Sequence, residues 1–554
     1  MLKNLSLHYH GLYYQTDMRI REVPPFSRTI KCVLLSGIPY LRKGHLYKAP
    51  PTSQGKWEEP MTNERILIMN QPNILILHLD ELRQDCLGCY GNPDIQTPNI
   101  DALAADGVTY QNHYTVYPVC TPSRYSLFSS LYVHQHAAWD NHCTLPSGYP
   151  TFPKLLRENG YQTTAVGKMH MTPTYLDIGF SDLELAEQNG CGRFEDDYHH
   201  FLMKHGKIDR FDLHYESGLF QLPPGDHRFD DCQCCQSDLD LPFYSSEWIT
   251  QRALDRLDQW NCDQPFCMMV GYISPHHPFD PPAPYSTMYD PNSLHLLPGY
   301  TDQPLPFDSN FGSSPIHPDK IDEKDIRAMM ASYYGMISEI DNGIGTILQK
   351  LKEKGLYDNT MIIFTSDHGD YMSYHHMMLK GRHLYDPLIK IPLIVKYPGQ
   401  QAAGQTDSFL SENIDVAPTV LELCGQPIPP TMQGRSLLGN DHRQFAFSEL
   451  QFGSQTNQKI GYMLRSDSYK LLVYGSMQDC AFYDLKKDPF ELCDVSKEPD
   501  YQETLHRYQT ALSDFVLFHA LGKVHLDTKA PQQRDQEVLN KQAEELKAFI
   551  RSQW

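Results

Sequence analysis

The stretch NILILHLD, residues 73–80, is a short apolar run that ends in a carboxylate. Such a run is typical of a central parallel strand, because a strand covered by helices on both faces is apolar at nearly every position. A second run of this kind, TMIIFTSDHGD at 360–370, ends in acidic residues and a histidine. Open α/β sheets bind ligands at the carboxyl ends of their strands, so the two runs predict both a sheet and a site at its edge.

Three further segments have the composition of strands: TTAVG (163–167), FCMMVGYI (266–273) and IPLIVKY (391–397). Residues 326–354 carry a helical repeat of apolar side chains through Ile337, Ile340, Ile344, Leu348 and Leu351. Strands that alternate with helices predict an α/β fold, doubly wound, with a mostly parallel central sheet flanked by helices.

The sequence divides into four parts. Residues 1–69 hold ten Lys+Arg and five Asp+Glu without clear periodicity. We expect this N-terminal extension, of unassigned role, to be either disordered or untranslated, with Met61 or Met69 as the start. Residues 70–439 form the predicted catalytic α/β domain. Alternating aromatic segments and a helix near 499–518 predict a smaller C-terminal subdomain at 440–525 with a short antiparallel sheet, and 526–554 is an amphipathic tail.

Composition narrows the class of partner. The 554 residues include 47 Lys+Arg and 68 Asp+Glu, a formal charge of −21, which disfavours binding to nucleic acid or to an anionic membrane surface. No apolar run is long enough to span a bilayer, and no signal-peptide pattern stands out, so we expect a cytoplasmic protein without membrane association.

The 14 cysteines are irregularly spaced, which favours reduced thiols. The cluster Cys232, Cys234 and Cys235, with Cys191 upstream, is either a zinc site or a loop with thiols.

Side chains that can bind a metal follow two of the predicted strands. Asp80 and Glu81 follow the apolar run that starts at 73, and Asp367 and His368 follow the run that starts at 360. Carboxylate oxygens suit Ca²⁺ or Mg²⁺ better than zinc. The alternative is that these acids are helix caps or solvated turns.

Basic side chains also follow strands, although each alone is more often a surface or hydrogen-bonding residue. They are Lys168 and His170 in GKMH, His276 and His277 in SPHHPF, and His375 and Lys380 in YHHMMLKG. Together with Arg124 they would form a locally cationic pocket on an acidic protein. Such a pocket fits a tetrahedral oxyanion, sulfate or phosphate.

The segment VYPVCTPSRYSLFSSL, residues 116–131, places Cys120 at the entry to a predicted helix. The cysteine has three interpretations: a buried structural thiol, a nucleophilic thiolate activated by Arg124 and the helix N-terminus, or a soft metal ligand. None of the three explains the spacing of Pro122 and Arg124.

CTPSR followed by YSLFSSLY resembles the signature of the type I, formylglycine-dependent sulfatases of the alkaline phosphatase superfamily. Five further segments resemble blocks of that family in the family's order: PNILILHLDELRQDCLGCYG (72–91), GYQTTAVGKMH (160–170), SPHHPF (274–279), TSDHGDYMSYHHMMLK (365–380) and AFYDLKKDPFELCDV (481–495). The resemblance covers about residues 70–500.

The resemblance implies two cofactors. One is Cα-formylglycine, made from Cys120 by a formylglycine-generating maturation enzyme. The other is a divalent cation, usually Ca²⁺, with Mg²⁺ or another divalent ion as the alternative. The implied metal ligands are Asp80, Asp367 and His368, with Glu81 at a position where many members have Asp or Gln.

The resemblance also implies roles for the remaining site residues. Arg124 would orient the formylglycine, His170 would act on it, and His276 would line the leaving-group side. The implied sulfate-binding residues are Lys168 and Lys380, with Asn141 and His375 as further candidates.

The implied reaction is hydrolysis of a sulfate monoester. One hydroxyl of hydrated formylglycine attacks sulfur while the alcohol leaves with a proton from His276 or Lys380. The second hydroxyl is then deprotonated by His170, and sulfate departs. Tyrosines and acids at 181–260, including Tyr198, Asp230 and Asp231, suit a surface for sugar hydroxyls, which favours a sulfated carbohydrate, either a small molecule or an oligosaccharide, over a small aryl or choline sulfate.

Two alternatives remain at this point. One is a phosphonate monoester or phosphodiester hydrolase of the same superfamily, whose members tend to lack the Lys168 and His170 pair. The other is a non-catalytic sulfatase-like binding protein in which Cys120 stays a thiol.

Overall fold

The computed structural model describes residues 71–188, 195–209, 234–260, 264–309, 321–454, 457–519 and 536–552. The larger sheet contains the strands β1 (Asn73–Leu79), β2 (Val108–Tyr114), β3 (Gln162–Gly167), β4 (Asp182–Leu185), β5 (Phe266–Gly271), β6 (Thr360–Ser366), β7 (Leu393–Lys396) and β8 (Gln405–Glu412). Their order across the sheet is β4-β3-β5-β1-β6-β7-β2-β8. The five predicted strands correspond to β1, β3, β5, β6 and β7.

Strand direction agrees with the predicted doubly wound sheet except at one strand. β7 runs antiparallel to both β6 and β2, whereas β1 is parallel to β5 and β6 on its two sides. β1 is therefore the central strand, and its seven residues are all buried. The fold class predicted from the sequence is confirmed.

The described residues form α-helices, several of which cover the two faces of this sheet. In chain order they are α1 (Pro98–Ala105), α2 (Cys120–Ser129), α3 (Val133–His136), α4 (Phe152–Glu158), α5 (Asp197–Lys204), α6 (Ser245–Gln259), α7 (Pro306–Ser309), α8 (Glu323–Glu353), α9 (Asp386–Ile389), α10 (Val416–Leu423), α11 (Gln502–His519) and α12 (Gln536–Ser552). Asp322 and Asp325 form a capping box that starts α8, and the five apolar residues predicted to line one face of that helix are all buried.

The two faces of β1 belong to different cores, because successive side chains of a strand point to opposite sides of the sheet. Leu75 and Leu77 pack in a core with side chains of α6 and α8. Ile74 and Ile76 pack in a second core with side chains of α2, α4 and α10. The loops at the carboxyl ends of the central strands are thereby left as the place for a site.

A second, antiparallel sheet lies toward the C-terminus, as predicted. Its strands β9 (Ala446–Ser454), β10 (Asn457–Arg465), β11 (Tyr469–Tyr474) and β12 (Cys480–Asp484) are in the order β12-β11-β10-β9. α11 corresponds to the predicted helix at 499–518, and α12 lies in the predicted tail and packs on α5.

Several predictions fall outside the described residues. They concern residues 1–69, Cys191, Cys232, Asp230 and Asp231. The cysteines that the structure describes form no disulfide. In the part of the chain that the structure describes, every helix is too short or too polar to span a membrane.

Candidate active site

Cys120 is the first residue of α2, which follows the loop after β2. The residue before it, Val119, is extended, so the thiol lies at the helix N-terminus, and the whole of α2 is buried. Its Sγ atom lies 3.3 Å from Nε2 of His368, 3.6 Å from Oδ1 of Asp80 and 3.6 Å from Nζ of Lys380. The cysteine is therefore surrounded by side chains from three other parts of the chain.

Burial opposes ionisation of this thiol. The positive charges of Lys380 and His368 outweigh that effect and hold the pKa of Cys120 well below its ordinary value. The thiol position is thus built to carry negative charge.

Two neighbouring strands deliver the carboxylates. β1 and β6 pair in parallel with Leu79 opposite Ser366, so the next residues of each, Asp80 and Asp367, face one another at the carboxyl edge of the sheet. Both are buried. The two strand ends therefore lie side by side in the structure, as expected from the sequence.

Arg124 joins these two acids to the GKMH segment. Its guanidinium donates to Oδ2 of Asp80 at 2.9 Å, to Oδ2 of Asp367 at 3.1 Å and to the carbonyl oxygen of Lys168 at 2.7 Å. Arg124 lies one helical turn beyond Cys120 on α2, and it therefore fixes this helix against the strand ends.

A divalent cation fits the donor set at this edge. Ligand atoms of Asp80, Cys120, Asp367 and His368 all lie within 4.8 Å of one another, and all four residues are buried. Burial, together with the facing carboxylate of Asp80, raises the pKa of Asp367 to about 7. A cation between the two acids would relieve that repulsion, and oxygen donors suit Ca²⁺ or Mg²⁺.

Glu81 lies in a different group from these ligands. Its Oε2 accepts from Nδ1 of His277 at 2.9 Å, and it lies 3.2 Å from Nε2 of His276 and 3.4 Å from Nζ of Lys380. The backbone of Glu81 is left-handed, with φ of 63°, and its N–H donates to Asp367. The structure thus turns the side chain of Glu81 toward the histidines.

The hydrogen bonds of His276 define which of its nitrogens carries the proton. Nδ1 lies 2.5 Å from the carbonyl oxygen of His277, which can only accept, so Nε2 is left to accept from the ammonium of Lys380 at 2.7 Å. Burial and the charge of Lys380 lower the pKa of His276 to about 3. His276 is therefore neutral near pH 7, and the pair's positive charge resides on Lys380.

The other basic residues and Asn141 also contact this region. Nζ of Lys168 lies 2.8 Å from Oδ2 of Asp80. Burial opposes the charged form of Asp80, but Lys168 and Arg124 hold its pKa well below the usual range. Oδ1 of Asn141 accepts from the backbone N–H of Thr121, the second residue of α2.

His170 and His375 have different surroundings. The carbonyl of His170 accepts from Oγ1 of Thr121 at 2.7 Å, which places it beside the start of α2. In contrast, Nε2 of His375 bonds the carbonyl of Phe490 at 2.8 Å and Nδ1 lies 3.4 Å from Asp308. The structure therefore brings the predicted site residues together with the exception of His375.

One acid in this region was missing from the sequence prediction. The Glu187 carboxylate binds the backbone N–H groups of Met169 and His170. Glu187 lies two residues beyond β4, and because β4 lacks an apolar run, the pattern of acids after strands that identified Asp80 and Asp367 did not reveal it.

Comparisons with known proteins agree with this geometry. The family model described as Sulfatase matches residues 72–426. The chain belongs to the sulfatase family. A second model, described as the C-terminal region of N-sulphoglucosamine sulphohydrolase, matches residues 375–516 of this sulfatase. The predicted family membership and enzyme class are confirmed.

Named relatives cover most of this sulfatase. It is 30% identical over 509 residues to the multifunctional alkaline phosphatase superfamily protein PehA of Trinickia caryophylli, covering 82% of this chain and 96% of that one. It is 25% identical over 505 residues to the N-acetylglucosamine-6-O-sulfatase of Bacteroides thetaiotaomicron, covering 78% and 84%.

Solved structures share the fold. The phosphonate monoester hydrolase of Agrobacterium radiobacter superposes with a TM-score of 0.69 at 24% identity, covering 84% of this chain and 100% of that one. A structure in complex with its substrate, D-glucosamine-2-N,6-O-disulfate, gives a TM-score of 0.63 at 23% identity, covering 81% and 98%.

Proposed function

We propose that this sulfatase hydrolyses a sulfate monoester of a sulfated carbohydrate, with Cys120 oxidised to formylglycine as the nucleophile and a divalent cation, Ca²⁺ in the first place, beside it. The observation that carries the proposal is the position of Cys120. It begins a buried helix, and its Sγ lies within hydrogen-bonding or near-contact range of His368, Asp80 and Lys380.

Asp80, Asp367 and His368 are the proposed metal ligands. When present, the cation would supply Lewis-acid stabilisation of negative charge, and hydrated formylglycine would supply a hydroxyl nucleophile that a thiol or serine cannot replace. Arg124 holds both carboxylates in place and ties them to α2. Glu81 is a less favoured ligand, because its carboxylate is engaged with His276 and His277.

Two lysines hold the sulfate in this proposal. The ammonium of Lys168 contacts Asp80, and that of Lys380 contacts Cys120. Both ammonium groups would bind the sulfate oxygens and stabilise the negative charge that develops in the reaction. Because His276 is neutral and accepts from Lys380, the proton for the leaving alcohol comes from Lys380, and His276 orients that ammonium. His170 accepts a proton when sulfate is released.

Asn141 stays in the proposed sulfate-binding site, whereas His375 does not. Asn141 fixes the start of α2 through the N–H of Thr121, and we keep it at the sulfate site. We place no step on His375, because its ring nitrogens face Phe490 and Asp308.

A sulfated sugar is the proposed substrate class for two reasons. A relative is named N-acetylglucosamine-6-O-sulfatase, and a structural neighbour holds a disulfated glucosamine. The proposed partners are therefore a sulfated oligosaccharide or smaller sulfated sugar and a formylglycine-generating enzyme. The test is desulfation of a panel of sulfated mono- and oligosaccharides, with Cys120→Ala as the inactive control. We expect sulfate release from at least one sugar, and release by Cys120→Ala at the wild-type rate would contradict the proposal.

A second candidate is a phosphonate monoester or phosphodiester hydrolase. Structures named phosphonate monoester hydrolases superpose with a TM-score of 0.69, which favours considering it. Members of the superfamily that hydrolyse phosphonates or phosphodiesters tend to lack the lysine and histidine pair of the GKMH segment. The presence of Lys168 and His170, both buried, therefore argues for a sulfate ester as the substrate. Turnover of 4-nitrophenyl sulfate should exceed that of 4-nitrophenyl phenylphosphonate, and much faster phosphonate cleavage would replace our proposal with this one.

A further inference from the structure

The turn that follows β3 carries two of the proposed site residues, Lys168 and His170, and the second has an unusual backbone conformation. His170 has a φ of 53°, in the left-handed region that few residues other than glycine adopt. Such a conformation is unfavourable and persists only where neighbouring groups enforce it. The turn therefore requires a partner that fixes its backbone.

Glu187 is that partner. Its Oε1 accepts from the N–H of Met169 at 3.1 Å and of His170 at 2.9 Å, and its Oε2 lies 3.2 Å from the same N–H of His170. On the other side of the residue, Oγ1 of Thr121 donates to the carbonyl of His170. The backbone of His170 is thus held between Glu187 and the residue that follows Cys120.

The ring of His170 depends on this backbone clamp. It is buried, and neither of its ring nitrogens hydrogen-bonds to another group in the part of the chain that the structure describes. A ring without hydrogen bonds of its own takes its position from its backbone and from packing.

Glu187 is itself held rigidly. It is buried, and its N–H donates to Oδ2 of Asp196 at 2.6 Å. Asp196 caps α5 by accepting from the N–H of His199 at 3.0 Å. The backbone of Glu187 is therefore anchored to the residue that caps α5.

We propose that Glu187 is a positioning residue for His170: it binds the two N–H groups of the left-handed turn and so holds the imidazole in place beside the nucleophile helix. The proposal rests on the proposed function, in which His170 accepts a proton during sulfate release. Glu187 acts through His170, so removing it affects the half-reaction that uses His170.

The experiment compares Glu187→Ala, His170→Ala and the double variant of the matured enzyme with 4-nitrophenyl sulfate. Rapid mixing separates the burst of nitrophenol, which reports the first half-reaction, from steady-state sulfate release. We expect Glu187→Ala to slow sulfate release about 10–100-fold while the burst rate stays at the wild-type value, because a displacement of about 1 Å at a reacting group has an effect of this size. The double variant should be no slower than His170→Ala, since the two residues act as a unit.

Two conservative variants complete the design. Glu187→Gln keeps an oxygen that can accept both N–H groups, so it should keep most of the wild-type rate of sulfate release. Glu187→Asp keeps the negative charge, but its side chain is too short to reach both N–H groups, so it should release sulfate as slowly as Glu187→Ala does. Glu339→Gln is the matched control, because Glu339 is also buried but lies on α8, and it should leave both phases unchanged. Equal slowing of burst and sulfate release by Glu187→Ala, or additive losses in the double variant, would overturn the proposal.

A crystal structure of Glu187→Gln and Glu187→Ala tests the same claim without turnover. We expect the His170 ring to keep its place in the glutamine variant and to shift by about 1 Å or more in the alanine variant, while Cys120 and Arg124 stay in place. An unmoved ring in the alanine variant would refute the positioning role even if the enzyme proved to act on another ester. Absence of sulfate release by the wild type would instead count against the proposed function.

Discussion

Replacement of Arg124 by lysine tests how the site is held together. The arginine donates to Asp80, Asp367 and the carbonyl of Lys168 from one rigid guanidinium, all in a fully buried position. A lysine can reach one of these carboxylates but cannot span both. The variant loses one charge-assisted hydrogen bond, at about 1.5–3 kcal/mol, and one bond to a carbonyl, at about 1 kcal/mol. Asp80 keeps the ammonium of Lys168, whereas buried Asp367 loses the guanidinium when the lysine pairs with Asp80, so the expected loss of unfolding free energy is about 3–5 kcal/mol.

The chain offers a matched control for this change. Arg443 also bridges two buried acids, Glu412 and Asp415, but it lies outside the proposed active site. Arg443→Lys should lower stability by a similar amount, whereas only Arg124→Lys should lower the kcat per folded molecule, by roughly 100-fold or more.

The assay is urea unfolding in the presence of a chelator, together with sulfate release by the folded fraction after Ca²⁺ is restored. The chelator removes any cation that would compensate for the lost arginine. Equal loss of kcat in both variants, or unchanged stability of Arg124→Lys, would refute the view that this arginine orders the two acids for catalysis.

Three further predictions concern Cys120 and the buried charges. Cys120→Ser should fold and bind Ca²⁺ as the wild type does, measured by calorimetry, but lose multiple turnover of the sulfate ester; a fully active serine variant would contradict the account. Burial raises the pKa of Glu339 to about 8, so the folded state binds its proton more tightly than the unfolded state, and stability should fall as pH rises from about 4.5 to 8. Glu339→Gln should remove that part of the pH dependence in urea unfolding and gain about 3 kcal/mol near pH 7; a pH profile that matches the wild type would show the assignment to be wrong. Lys470→Met should cost about 3–5 kcal/mol at pH 7, because it leaves Glu491 and Asp386 facing each other. Burial opposes ionisation of Asp386, but Lys470 lowers its pKa below the ordinary value, so this stabilisation is present above about pH 4 and is lost in acid; a difference that persists unchanged at pH 2 would count against it.

The central part of the fold and the closeness of its proposed metal ligands were predictable from the sequence for one reason. Apolar runs ending in acids mark buried parallel strands, and parallel neighbours end at the same edge, so Asp80 and Asp367 had to come close together. The same logic placed Lys168 and His276, which follow β3 and β5.

The strands that sequence reasoning missed are the more polar ones. β4 and β8 are the edge strands, and β8 reads QTDSFLSE, so neither carries the apolar run of a buried strand. β2 has polar residues at its centre, in VTYQNHY, which conceals its role next to α2 and Cys120. Edge positions are solvated on one side, so composition gives a weak signal there.

Local backbone turns explain where the site differs from expectation. His375 is close to Lys380 in sequence, but left-handed residues at His375, His376 and Leu379 turn the chain between them, and the His375 ring faces the C-terminal region. Glu81 likewise has a positive φ that separates its side chain from that of Asp80. Backbone reversals at residues other than glycine carry no pattern that the sequence reveals.

The mass of the peptide that contains Cys120, isolated from the native protein, tests the central claim most directly. The account predicts that the side chain is an aldehyde, so that the peptide is lighter than its unmodified form by the difference between a CH₂SH and a CHO group, and that sulfate release by different preparations scales with the fraction of aldehyde. Complete retention of the thiol in native protein, or sulfate hydrolysis that does not depend on the aldehyde fraction, would contradict it.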